Sequence, residues 1–84
     1  MRRLSESIRC KHLDDGSVVL DTRRGQIFSF NRTASRILQL LETGSDRKAI
    51  VGRIVQEFGA EPQTAEKDLC EFLNLLQQHQ LLAS

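Results

Sequence analysis

The chain has 84 residues, 39% of them hydrophobic and 27% charged, with a formal net charge of +1. A chain this short builds one small domain, here residues 1–84, and hides only about 60% of the surface it exposes when unfolded. Two cysteines exclude a disulfide framework, and the chain has neither a secretory signal pattern nor an apolar run of about 18 residues, so a reduced, cytoplasmic protein with no membrane partner is expected. After Met1-Arg2-Arg3, the polar run Leu4-Ser5-Glu6-Ser7 breaks any apolar signal core. Charge is unevenly spread: residues 1–36 hold eight Arg/Lys against four Asp/Glu, and residues 37–84 hold four against seven.

Two glycine-punctuated turns organise the first third. Asp14-Asp15-Gly16 and Arg23-Arg24-Gly25 each read as a three-residue loop closed by a left-handed glycine, which predicts two consecutive hairpins and a three-stranded antiparallel meander. In that register Leu13 faces Ser17 and Thr22 faces Gln26. Cys10, Leu20 and Phe28 then lie opposite one another, as do Val18 and Phe30, all on the buried face. Arg9, Lys11, Ser17, Val19, Asp21, Ile27 and Ser29 occupy the other face.

Three helices follow. Asn31 or Thr33 caps the first, whose apolar stripe is Ala34, Ile37, Leu38 and Leu41, and Gly44 ends it. Ser45 caps the second, with Val51, Ile54, Val55 and Phe58 on its stripe, and Gly59 stops it. Pro62 suits the first turn of the third, which carries Ala65, Leu69, Phe72, Leu73 and Leu76 and runs to about Gln78. Leu81-Leu82 is expected to fold back on the core as a short extended tail. Two helices joined by a short connection after a hairpin make an α+β, winged helix-turn-helix arrangement.

The search for chemistry returns no phosphate loop, nucleophile elbow or zinc motif, and no metal or cofactor is expected. Cys10, Cys70, His12 and His79 lack metal-ligand spacing. Gly52, inside the second helix, costs about 1 kcal/mol against alanine and is read as a close-packing position. His12 and His79 have no predicted serine or cysteine partner and are read as structural or solvent-exposed. Cys70 is read as a small apolar residue, and Asp14-Asp15 as a turn former. A non-enzyme follows.

The run Gly16-Ser17-Val18-Val19-Leu20-Asp21, then Gly25-Gln26-Ile27-Phe28-Ser29-Phe30-Asn31-Arg32-Thr33-Ala34, the pairs Asp68-Leu69 and Phe72-Leu73, and the closing Leu81-Leu82 together resemble the PqqD-like family. That family comprises coenzyme PQQ synthesis protein D and related recognition elements for ribosomally synthesised, modified peptides, including stand-alone leader-binding proteins of lasso-peptide clusters. Phe30 stands where the family pattern usually has Leu, and Gln80 where it usually has Gly. The resemblance implies a non-catalytic domain that binds the leader segment of a precursor peptide. It also implies a partner that modifies the peptide, either a radical SAM enzyme or a leader peptidase and cyclase.

The residues supply a mechanism for such binding. The third strand, Gln26 to Phe30, ends the meander and leaves unpaired N–H and C=O groups that an extended peptide can complete, so Gln26, Ile27, Phe28, Ser29 and Phe30 are candidate peptide-binding residues. Alternate side chains of that peptide are expected to enter the groove between this strand and the third helix. The helix offers two flanks beside its core stripe, Cys70 and Asn74 on one and Asp68, Glu71 and Leu75 on the other, and the sequence leaves open which faces the strand. Leu75 is the apolar residue without a core position. A DNA-binding winged helix is the alternative, but residues 61–80 carry Glu61, Glu66, Asp68 and Glu71 against only Lys67, which opposes docking in a polyanion's groove. Arg2, Arg3, Arg9, Lys11, Arg23, Arg24 and Arg32 could still reach phosphates from the strand side. A purely structural adaptor is the third class.

Overall fold

The structure is a computed structural model and describes residues 4–82. Arg2 and Arg3, part of the expected basic surface, lie outside the described residues. Strands β1 (Ile8–Leu13), β2 (Gly16–Asp21) and β3 (Gln26–Phe30) form an antiparallel sheet in the order β1-β2-β3. Helices α1 (Arg32–Glu42), α2 (Arg47–Phe58) and α3 (Pro62–Gln78) follow. The core lies between one sheet face and the helices, around Val19, Ile37, Leu38, Ile50, Ile54, Leu69, Leu76 and Leu81. The tail folds back as expected: Leu81 is buried, Leu82 bridges to Leu4, and the Ser5 N–H donates to the Leu81 carbonyl at 2.8 Å.

The register of β2 corrects the sequence-based reading. Leu13 pairs with Gly16 and Asp21 with Gln26, so the loops have two and four residues in place of three and three. The two one-residue slips cancel between β1 and β3, which keep their expected faces, while β2 turns over. Val19 is therefore fully buried opposite Cys10 and Phe28, whereas Leu20 is 37% exposed on the open face with Val18.

The physical reason lies in what each turn residue does. Gly16 does not adopt a left-handed conformation; it sits in β2, where a Cβ would lie 2.2 Å from the Phe30 carbonyl oxygen, so it is glycine for close approach. Gly25 is left-handed, with φ of 67°, and its N–H donates to the Asp21 carbonyl at 2.8 Å. The buried Asp21 carboxylate accepts the N–H groups of Arg23 at 3.0 Å and Arg24 at 3.3 Å, tying down the longer loop. Polar residues thus occupy the inner face because each has partners there.

The helix ends follow capping chemistry. The Asn31 side chain accepts from the Ala34 N–H at 2.9 Å and starts α1. Asp46, not Ser45, caps α2, accepting from the Ala49 N–H at 2.8 Å. The Ser45 N–H instead donates to the Leu40 carbonyl at the end of α1. Gly59 terminates α2 in the left-handed region, with φ of 65°, and Pro62 opens α3. On α2 the buried residues are Ile50 and Ile54; Val51 and Val55 are half-buried and Phe58 is exposed, so the stripe is rotated from its expected position. Gly52 is exposed and a Cβ there would meet nothing within 4 Å, which overturns the close-packing reading.

Candidate functional site

Because β2 occupies the middle of the sheet, β1 and β3 are its edges. On β3 the side chains alternate. Phe28 and Phe30 point inward and are half-buried, while Gln26, Ile27 and Ser29 are exposed, Ile27 to 69%. Two aromatic contacts lock the inward pair to α3 and its end: Phe30 meets Phe72 edge-on with centroids 5.1 Å apart, and Phe28 meets the His79 ring at 4.9 Å. Such pairs add to their area burial, so β3 is held against α3 without using its edge. His79 therefore has a packing role, the structural one of its two expected readings.

These rings lie between β3 and α3, and an open cavity lies one step further along the chain. A cavity of about 310 Å³ sits between α3 and the start of α1, lined by Asn31, Thr33, Ala34, Ile37, Asp68, Glu71, Phe72 and Leu75. Asn31, which lines this cavity, directly follows β3 in the chain. The two flanks of α3 part company here. Asp68, Glu71 and Leu75 line the cavity. Cys70 faces α2, with its sulfur against the Arg47 guanidinium, and Asn74 is exposed away from the lining. The sequence marks Asn31, Thr33, Ala34 and Ile37 only as cap and core stripe; their place immediately after the edge strand is the signal that could have suggested them for the site.

A second polar cluster links the sheet to α1. His12 Nδ1 lies 2.6 Å from Ser17 Oγ and His12 Nε2 lies 2.8 Å from Glu42 Oε1, while the Ser17 hydroxyl also bonds to that of Ser35. This corrects the expectation that His12 has no serine partner. The order carboxylate, imidazole, hydroxyl matches that of a nucleophile triad. Ser17, however, is only 2% exposed, and its hydroxyl is already bonded to both neighbours, so a substrate carbonyl has no approach. The cluster acts as a strut between β1, β2 and α1. Beside it, burial, then the Glu42 charge and a hydrogen bond to that carboxylate, push the Cys10 thiol up to about 11, holding it neutral. Among the described residues, no group of three His, Cys, Asp or Glu side chains is placed to hold a metal, and no helix is long and apolar enough to cross a membrane.

Comparison with known proteins agrees with this architecture. The family model for coenzyme PQQ synthesis protein D (PqqD) matches residues 16–82. No curated protein matches the chain. Among solved structures, TbiB1 in complex with the TbiA(beta) leader peptide superposes with a TM-score of 0.90 at 34% identity, covering 98% of this chain and 95% of TbiB1. Lasso peptide synthetase B1 complexed with the leader peptide superposes with a TM-score of 0.88 at 28% identity, covering 99% of this chain and 98% of that one. With the family model spanning most of its length and the fold matching throughout, the chain belongs to the PqqD family.

Proposed function

We propose that this protein is a non-catalytic recognition domain, acting over residues 1–84, for the leader segment of a ribosomally synthesised precursor peptide. The leader adds as a strand to the free edge of β3, Gln26 to Phe30, and its side chains enter the cavity bounded by Asp68, Glu71 and Leu75. Backbone hydrogen bonds supply sequence-tolerant affinity, and the pocket supplies selectivity. The observation that carries this reading is the conjunction of an open edge strand with near-complete likeness to two structures that hold leader peptides.

The bound leader is presented to a modifying enzyme, either a radical SAM enzyme or a leader peptidase and cyclase, in the cytoplasm. A surface suited to such a partner exists on the open side of the sheet. There the turned-over β2 places Leu20 directly between Arg9 and the exposed Ile27, with Val18 and Leu13 nearby. Contiguous exposed apolar side chains rimmed by charge mark protein interaction sites. A strand added at β3 would extend this same face. Phosphate binding has less to work with, because the exposed side of α3 carries Glu66, Asp68 and Glu71 against Lys67.

Calorimetric titration of the purified domain with synthetic leaders, taken from short precursor genes beside its own gene, tests the proposal. Saturable binding of one leader, with the peptide recovered unaltered, is expected. Absence of binding to every neighbouring leader, or turnover of the peptide by the pure domain, would refute it.

A further inference from the structure

We propose that the cavity between α1 and α3 takes a long cationic side chain, lysine or arginine, of the bound peptide; this rests on the peptide-binding reading above. The cavity is lined by the apolar Ala34, Ile37, Phe72 and Leu75, of which Ile37 and Phe72 are buried, and by the polar Asn31 and Thr33 with the exposed Asp68 and Glu71. Leu75 is 37% exposed and nothing within the chain covers it. The lining is therefore apolar in its buried part and carries two carboxylates in its exposed part.

The two carboxylates are set apart from other acids of the helices. Glu42 lies 2.8 Å from His12, Glu57 2.9 Å from Arg36, and Glu66 3.8 Å from Arg47. Among the described residues, Asp68 and Glu71 have no basic side chain within 4.0 Å. Three residues apart, they share one side of α3, where like charges repel and destabilise the helix. A cation between them removes that repulsion.

Each class of peptide side chain fares differently at this site. An aliphatic residue would cover Leu75 and Phe72 but strip water from two carboxylates and return no hydrogen bond. An acidic residue meets two like charges. Lysine and arginine lay an aliphatic stem along apolar surface while keeping the charged head at its edge, which matches a lining of apolar and exposed acidic side chains. The start of α1 contributes an opposing partial charge of about half a unit together with the exposed Arg32, and Lys67 stands four residues before Glu71. Among the described residues, however, neither base pairs with Asp68 or Glu71, which leaves both carboxylates open to a cation from the peptide. The Ala34 N–H there is already taken by the Asn31 side chain at 2.9 Å.

Panning a display library of random dodecapeptides on the purified full-length chain tests this assignment. Selected peptides are expected to share a lysine or arginine at one fixed position, and the enrichment should vanish on the Asp68→Asn, Glu71→Gln double variant. Both carboxylates are exposed, so that variant folds, as circular dichroism would verify. Replacing the shared cation of one selected peptide by norleucine, which keeps the stem, should weaken binding to the parent by about three- to tenfold, and to the variant by about twofold at most. Selection of peptides without a shared cation would overturn the assignment and leave peptide binding intact. So would a cation preference that survives in the double variant, because the charge would then be read elsewhere. If the library yields no binders, the peptide-binding reading falls and this assignment falls with it.

Discussion

The side of the molecule that faces α2 and the inner sheet satisfies its groups internally, whereas the side bounded by β3, α3 and the start of α1 leaves them open. On the first side Ser17 meets Ser35 and His12, His12 meets Glu42, Asp21 holds its own loop, and Arg47 lies against Cys70 and Glu66. On the second, the β3 edge, Ile27, Leu75, Asp68 and Glu71 lack partners among the described residues. One helix separates the two, with a satisfied flank and an open one. The contrast predicts that substitutions on the first side cost stability, and that substitutions on the second cost peptide affinity.

The strongest way to break that division is through neighbouring residues of β2. Val19 is fully buried, so Val19→Ala should cost about 2 to 3 kcal/mol of unfolding free energy through lost burial and an unfilled cavity. Leu20, on the open face, should cost no more than about 0.5 kcal/mol when changed to alanine. Urea denaturation of the two variants measures the difference. A reversed order would restore the three-residue-loop register and place Leu20 in the core.

The two flanks of α3 give the next contrast. Leu75→Asp should leave the fold intact and weaken leader binding by about 1 to 2 kcal/mol, since the apolar surface lost is covered only by the peptide. Cys70→Asp, on the flank beside Arg47, should leave leader affinity within about 0.5 kcal/mol of the parent. Calorimetry on both variants decides between the flanks. Equal losses would mean that the peptide spans the whole outer face of α3, and a loss confined to Cys70→Asp would move the site to the α2 side.

What could be read from the chain divides along the same line. Element order and most helix ends were legible because their causes are local: Asn31 bonds to a backbone group three residues on, Gly59 supplies a left-handed turn, and Pro62 fixes a first-turn φ. Leu75 was legible as an apolar residue outside a helical stripe. The register of β2 was not. In Ser17-Val18-Val19-Leu20-Asp21 either alternation presents apolar residues, and the deciding groups are distant in sequence, Ser35 for Ser17 and the Phe30 carbonyl for Gly16. The same holds for Cys70, whose neighbour Arg47 belongs to another helix, and for His12, whose partner Glu42 ends α1. Local rules located the elements; contacts between elements decided which faces were satisfied and which stayed open.

The smallest effect concerns Gln80, one of the two positions at which the chain differs from the pattern it otherwise resembles. Gln80 has φ of 57°, the left-handed region that costs a side-chain-bearing residue free energy and glycine almost none. It stands between α3 and the buried Leu81, whose N–H donates to the Leu76 carbonyl at 2.8 Å, so the strained turn is what returns the tail to the core. The Gln80 side chain accepts a hydrogen bond from Arg24, but the pair is exposed and contributes little. Gln80→Gly relieves the strain and adds freedom to the unfolded chain, and the net gain should be about 0.5 kcal/mol. Because the substitution touches neither the β3 edge nor the cavity, leader affinity should not change. A measured loss of stability would show that the Arg24 contact outweighs the backbone strain. A loss of affinity at constant stability would extend the open side of the molecule to the tail.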